Sequence, residues 1–381
     1  MHKTSGIFGN VELTPAWFQA TYGLQEPNPF ETDIDELVEH TIKKNKLLYE
    51  RFPELPLGER EPQPSCPILL YDRRIVIAAA YGESAFVWNA QTASFWVDKN
   101  FGPWKGFNDV SSVLKVEVPD WENVGLVQEM LAKWEQVREK TDDSIYDNAI
   151  EWLDFDWQNP YTGRKYRFSD DASFIDLGLF LCGSTEFFTI LAAGPQLAQA
   201  MLEKCFELST SYSSFLRGVF NRQKVTAFSS LGGDNSCNLS GQMYRQYAMA
   251  YDAMRVKRYG NLPCNLHSCG PSSHLYEVWS TYPNRDNIVL MQTRGIPGQL
   301  HKLKKALPNT FLQITIHQPQ FDFENESPEN IQKIVEHYAK EAGYQNLELV
   351  VVVNQATEKV DRNIRSFYEV IGQINSQLLQ S

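Results

Sequence analysis

From residue 170 onward the chain keeps one rhythm: a short apolar run, then a helical stretch, repeated six times. The runs are Phe174–Phe180, Val225–Leu231, Leu262–Leu266, Asn287–Met291, Phe311–Ile316 and Leu347–Val353. The stretches that follow them are Ala198–Phe220, Met243–Tyr259, His274–Thr281, Gly298–Ala306, Pro328–Ala342 and Lys359–Leu378. Their apolar residues recur three and four apart, the period of a helix with one buried face. Strands that are apolar throughout need cover on both faces, and alternating helices supply it. The pattern predicts an α/β protein with a parallel sheet. Six such units, with β candidates upstream to complete eight, favour a (β/α)8 TIM barrel over an open doubly wound sheet. No Gly-x-Gly-x-x-Gly follows a strand and no Gly-x-x-x-x-Gly-Lys occurs, so neither a dinucleotide nor a P-loop nucleotide is indicated.

Upstream the pattern is less regular. Residues 1–65 read as an N-terminal helical extension, and 66–381 as the barrel. Asp33–Phe52 has helical spacing with acids in its first turn, and His40 falls among its polar positions. Glu59–Pro67 is charged and proline-rich, hence a loop. Ile68–Asn89 reads as β, with a turn at Asp72-Arg73-Arg74 whose arginines suit either an anion or plain exposure. Trp88, Phe95, Trp96, Phe101 and Trp104 form an aromatic-rich segment suited to a pocket wall for a flat ligand or to core. Leu126–Lys140 is another amphipathic helix, and Asp142–Gly163 an acidic connector.

A (β/α)8 barrel carries its chemistry at the C-terminal ends of its strands. There the sequence places Gly232-Gly233-Asp234-Asn235, His267-Ser268-Cys269-Gly270, Gln292-Thr293-Arg294-Gly295, His317-Gln318 and Asn354-Gln355. His267 and Cys269 are two apart, so on a strand they face the same way. One imidazole and one thiolate at a strand end suit a borderline-soft cation, with zinc the usual guest. Asp234 suits a turn cap or a catalytic role, and His317 a ligand or proton-transfer role. Asn235, Gln292, Arg294 and Asn354 are the expected substrate contacts. Cys237, three residues after Asp234, is a further candidate ligand. Cys182, Cys205 and Cys264 read as core.

The net charge of −12 argues against nucleic acid or an anionic membrane as the main partner. Six cysteines, none in a Cys-x-x-Cys pair, are no disulfide framework, which points to a reduced cytoplasmic protein. The polar start Met1-His2-Lys3-Thr4-Ser5 leads into no signal core, and the greasiest run, 174–194, contains Asp176 and Glu186, so no membrane span is expected.

Taken together, Tyr81-Gly82, Gly183-Ser184-Thr185-Glu186-Phe187-Phe188, Gly232-Gly233-Asp234-Asn235, the helix through Tyr244 and Tyr251, His267-Ser268-Cys269-Gly270, Glu326-Ser327-Pro328 and Asp361-Arg362-Asn363 resemble, in order and spacing, the uroporphyrinogen decarboxylase superfamily. The resemblance covers roughly residues 68–375. It implies a barrel enzyme, either a tetrapyrrole decarboxylase or a zinc-dependent corrinoid or thiol methyltransferase. In the methyltransferase branch a His-x-Cys pair and a cysteine after the last strand hold zinc, and the metal binds the substrate thiol as thiolate. The pair maps onto His267 and Cys269. The later cysteine has no counterpart, since Asn354-Gln355 stand there, so zinc would be completed by Asp234, Cys237 or His317. The decarboxylase branch implies an N-terminal Arg-x-x-Gly-Arg, which this chain lacks. The expected activity is therefore methyl transfer between a corrinoid and a thiol, on a small-molecule substrate, with a corrinoid protein as a partner and a homodimer as the commonest assembly. Decarboxylation of uroporphyrinogen or another carboxylic acid is the alternative, followed by a catalytically silent ligand-binding barrel.

Overall fold

The computed structural model describes residues 6–67, 69–82, 86–97, 102–142, 145, 154–169, 173–220, 226–316 and 322–380. Eight strands form one sheet in the order β1-β10-β9-β8-β7-β6-β5-β4. They are β1 (Phe8–Leu13), β4 (Asp154–Gln158), β5 (Lys165–Ser169), β6 (Ala227–Gly232), β7 (Cys264–Ser268), β8 (Ile288–Arg294), β9 (Phe311–Ile316) and β10 (Leu347–Val353). Neighbours run parallel, except that β4 and β5 form an antiparallel hairpin. β2 (Phe86–Asn89) and β3 (Ser94–Val97) make a separate two-stranded hairpin.

The sheet curls, but β1 and β4 end it as edge strands, with no ladder joining them among the described residues. The architecture is a half-barrel of α/β type, and a closed (β/α)8 ring is not shown. Its two edges nonetheless approach each other at the N-terminal ends of the parallel strands. Phe8 of β1 meets Tyr161 of the β4–β5 turn edge to face at 5.2 Å, and the Tyr161 hydroxyl donates to the Gly6 carbonyl. Phe8, Trp157, Tyr161, Tyr166, Phe168, Leu290 and Phe311 pack there into a floor.

Above this floor the concave face is polar. Asn265 Nδ2 donates to Gln292 Oε1 at 2.8 Å, Gln292 Nε2 to Gln313 Oε1 at 2.7 Å, and Gln313 Nε2 to Glu348 Oε2 at 2.7 Å. This ladder crosses β7, β8, β9 and β10: Gln292, Gln313 and Glu348 are register partners, and Asn265, opposite Leu290, reaches Gln292 diagonally. The outer face is covered by helices whose apolar sides form the main core, among them Pro195–Val219, Pro328–Glu341 and Glu358–Gln380.

Four predicted elements differ, the first being the connector Asp142–Gly163, which holds strand β4, Asp154–Gln158. Phe174–Phe180 is not a strand: Phe174–Cys182 is a helix, followed by a second, Ser184–Ala193, bent away by 116°. Eight of the nine residues of the first are buried, so the helical period that betrays a half-exposed helix is missing. Among the described residues no single helix is long and apolar enough to cross a membrane. Arg73–Ala79, predicted as turn plus strand, is a helix too, because Asp72 is its N-cap and accepts from the Arg74 N–H at 2.8 Å. Residues 8–13, predicted within a helical segment, form edge strand β1, while the predicted helix 33–52 stands as Ile34–Arg51 with Asp33 as cap.

Candidate metal centre

β6 and β7 are neighbours, and Gly232 lies opposite His267 in their register. The loop leaving β6 therefore lies beside the end of β7, which brings Asp234 against His267 and Cys269. His267 Nε2 is 2.9 Å from Asp234 Oδ1 and 2.8 Å from Cys269 Sγ, and the thiol reaches the same Oδ1 at 3.0 Å. Among the described residues no other trio of His, Cys, Asp and Glu converges in this way. Hydrogen bonding to His267 and Cys269, with the Arg74 guanidinium, holds the Asp234 carboxyl well below the usual carboxylate range despite partial burial. Burial works against a charged His267, but its bonds to Asp234 and Cys269 outweigh burial and push the imidazole up to about 10. The metal-free site is thus an imidazolium–carboxylate pair with the Cys269 sulfur beside it.

The loop that carries Asp234 is fixed from beneath. Gly232 and Gly233 have φ of +79° and +113°, and a Cβ at Gly233 would lie 2.1 Å from Ser173 Oγ and 2.5 Å from Asp176 Oδ2. Only glycine suits such a backbone so close to its neighbours. Asp176 is buried, and its carboxylate accepts from the Asp234 N–H at 2.8 Å, the Asn235 N–H at 2.9 Å and Asn235 Nδ2 at 2.8 Å. Burial, and then the Asp234 charge, push the Asp176 carboxyl upward. From the other side the Gly232 N–H donates to Asp252, whose carboxylate also accepts from the Tyr282 hydroxyl at 2.5 Å. Burial raises Asp252 to about 6.

Arg74 completes the surroundings. Its guanidinium grips both oxygens of Asp72 and donates to Asp234 Oδ2 at 3.1 Å, leaving Oδ1 to face His267 and Cys269. Such an outer contact fixes a ligand's orientation as the inner donors cannot.

The comparisons with known proteins bear on the scaffold. One solved structure that it resembles is a methyltransferase from Methanosarcina mazei. The match has a TM-score of 0.59 at 13% identity and covers 98% of this chain and 95% of that one. At that identity the likeness shows a shared fold. No protein-family model and no curated protein matches the chain.

Of the residues singled out from sequence, Asp234, His267 and Cys269 come together. Asn235 is turned onto Asp176. Gln292 sits opposite His267 in the register of β7 and β8, inside the polar ladder. Arg294, at the end of β8, is close enough for its charge to be felt by Cys237. Cys237 lies on the same loop, 3.4 Å from the Asp234 carbonyl, but outside the converging trio. Asn354 follows β10 and bonds elsewhere, accepting from the Thr14 hydroxyl and donating its N–H to Glu324. His317 lies outside the described residues. Arg74, Asp176 and Asp252 were missed as site residues. Asp176 had one signal, a carboxylate inside an otherwise apolar run. Arg74 had none that separates it from an exposed arginine.

A pocket of about 650 Å³ opens beside the centre. Asp234, His267 and Asp176 line it, as do the rings of Tyr71, Trp88 and Phe95. Those rings brace one another: Tyr71 and Phe95 have centroids 4.8 Å apart, Trp88 and Phe95 5.0 Å, and Trp88 Nε1 donates to the Glu26 carbonyl at 3.1 Å. Cys269, by contrast, is exposed and does not line the pocket.

Proposed function

We propose that this chain is a zinc-dependent methyltransferase that moves a methyl group from a corrinoid to a thiol. The observation that carries the proposal is the convergence of one imidazole nitrogen, one thiol sulfur and one carboxylate oxygen at the mouth of a half-barrel. This mixed, borderline-soft set fits zinc, and three protein donors leave the open position of a catalytic site. Asp234, His267 and Cys269 would hold the metal, so that Asp234 takes the place for which the superfamily resemblance implies a later cysteine. Bound zinc would supply the charge that keeps a substrate thiol as thiolate at neutral pH.

The chain's own residues do the rest. Asp176 and Asp252 hold the loop so that Asp234 stays aimed at His267. Arg74 occupies the outer oxygen of Asp234 and fixes which lone pairs face the site. His267 must give up the proton that Asp234 and Cys269 stabilise on it before it can act as a ligand. In the transfer, the sulfur's electron pair forms the new S–C bond as the bond between methyl and donor breaks, and that bond's pair stays with the donor. The thiol proton leaves to solvent.

The direct test is an assay of the purified protein with methylcobalamin and a thiol, with zinc content measured alongside. Thioether formation that disappears in His267→Ala and in Cys269→Ser, together with the zinc, supports the proposal. Undiminished zinc in the double variant removes the pair from the site. The decarboxylase reading has one observation in its favour, Arg73 and Arg74 in the wall of the pocket. Release of carbon dioxide from uroporphyrinogen by zinc-free protein would favour that reading instead.

A further inference from the structure

The two sides of the trio differ. Asp234 and His267 line the pocket, whereas Cys269, whose sulfur meets both, is exposed and does not line it. A transfer between two substrates needs both to reach one point, and here there are two approaches to it. The pocket approach has aromatic rings in its wall. Its volume of about 650 Å³ falls within the usual range for small-molecule sites. A corrin macrocycle with its side chains exceeds such a space.

From this we infer that the pocket is the thiol site and that it selects a thiol with a flat apolar body, such as an arenethiol, over a short polar one. This rests on the methyl-transfer reading for the role of the sulfur, but not for the body, which the walls select by themselves. With sulfur at Asp234 and His267, the body of the thiol shares the pocket with the rings of Tyr71, Trp88 and Phe95. These rings are already held by one another and by the Glu26 carbonyl. A preformed wall spends little ordering entropy on binding, and flat rings favour offset or edge contact with another ring. The polar groups beside those rings are engaged: the Tyr71 hydroxyl donates to Glu129 at 2.9 Å, and Glu26 accepts from Lys44 at 2.8 Å. The two arginines of the wall are engaged as well, Arg73 donating to the Ser213 hydroxyl at 2.9 Å and Arg74 to Asp72 and Asp234. The methyl donor then approaches from the solvent side, past Cys269.

The test is equilibrium binding of 4-methylbenzenethiol and 2-mercaptoethanol to the zinc-loaded full chain, by calorimetry, in the parent, Trp88→Ala, Phe95→Ala and Trp88→Phe. The parent should prefer the arenethiol by about tenfold or more, the scale of one well-packed ring contact. Either alanine variant should bring the ratio of the two dissociation constants towards one, and Trp88→Phe, which keeps a flat ring, should restore much of it. Far-UV circular dichroism shows whether each variant is folded. If an alanine variant unfolds, the parent and Trp88→Phe ratios still decide. A parent ratio near one, or a preference unaltered in folded variants, overturns the inference even if methyl transfer is observed. A clear arenethiol preference without any methyl transfer would retain the pocket and remove the activity.

Discussion

At the scale of single residues, the centre depends on groups that bind nothing themselves. Asp176 accepts three hydrogen bonds from the loop that presents Asp234. Asp176→Asn keeps the size but cannot accept all three, so it should leave buried donors unmet at a cost of about 1–3 kcal/mol. It should also weaken zinc binding by roughly 10- to 100-fold, as loss of an outer-shell partner does. Thermal melts and a competition titration with a chelating dye measure the two effects; zinc affinity equal to the parent's would show that the loop holds Asp234 without Asp176. Protonation gives a second prediction. His267 is pushed up to about 10 in the metal-free chain, so zinc must displace its proton at any pH near neutral. Apparent zinc affinity should rise between pH 6 and pH 8, by about tenfold per pH unit for each proton released. An affinity flat across that range would mean that His267 is not a ligand.

At the scale of elements, sequence and structure agree where burial is one-sided or the strand is central, and part where it is neither. Phe311–Ile316 and Leu347–Val353 were legible because they are short, mostly apolar and rich in β-branched residues, with one amide or carboxylate each, Gln313 and Glu348. Phe174–Cys182 is apolar in the same way but is a helix surrounded by core, and composition alone does not separate the two. Ile75-Val76-Ile77 has strand propensity, and one cap, Asp72, overrides it. β1 was hidden for the opposite reason: an edge strand with Asn10 and Glu12 has no apolar run to announce it. Asp72→Ala should therefore cost about 1 kcal/mol or more through the lost cap, and should loosen Arg74 from Asp234 as well. Asp252, in the first turn of the helix Ala250–Tyr259 and bonded to the Gly232 N–H, gives a test against pH. Its carboxyl is raised from 3.8 to about 6, so the native state holds its proton more tightly than the unfolded chain. The resulting stability is fully present below about pH 4 and is lost as pH rises through about 6, on the order of 3 kcal/mol. Asp252→Asn should gain stability relative to the parent between pH 4 and pH 7, read from urea midpoints, and a difference constant with pH would contradict this.

At the scale of the whole molecule, the half-barrel sorts its concave face by height: aromatic floor, amide and carboxylate ladder, then ligating rim. That sorting was only partly readable in the chain. The His-x-Cys spacing marked the rim because strand alternation puts both side chains on one side, and Asp234 followed from its place after the preceding strand. Gln292 was visible as a polar strand-end residue, but its partners Asn265, Gln313 and Glu348 were not, because their meeting depends on the register of four parallel strands. The central claim, that the rim trio is a metal centre, is tested most directly by anomalous scattering at the zinc edge from crystals grown with zinc. The account predicts a single strong peak within about 2.0–2.3 Å of the Asp234 carboxylate, the His267 imidazole and the Cys269 sulfur. A map with no peak there, and His267 still hydrogen-bonded to Asp234, would contradict it.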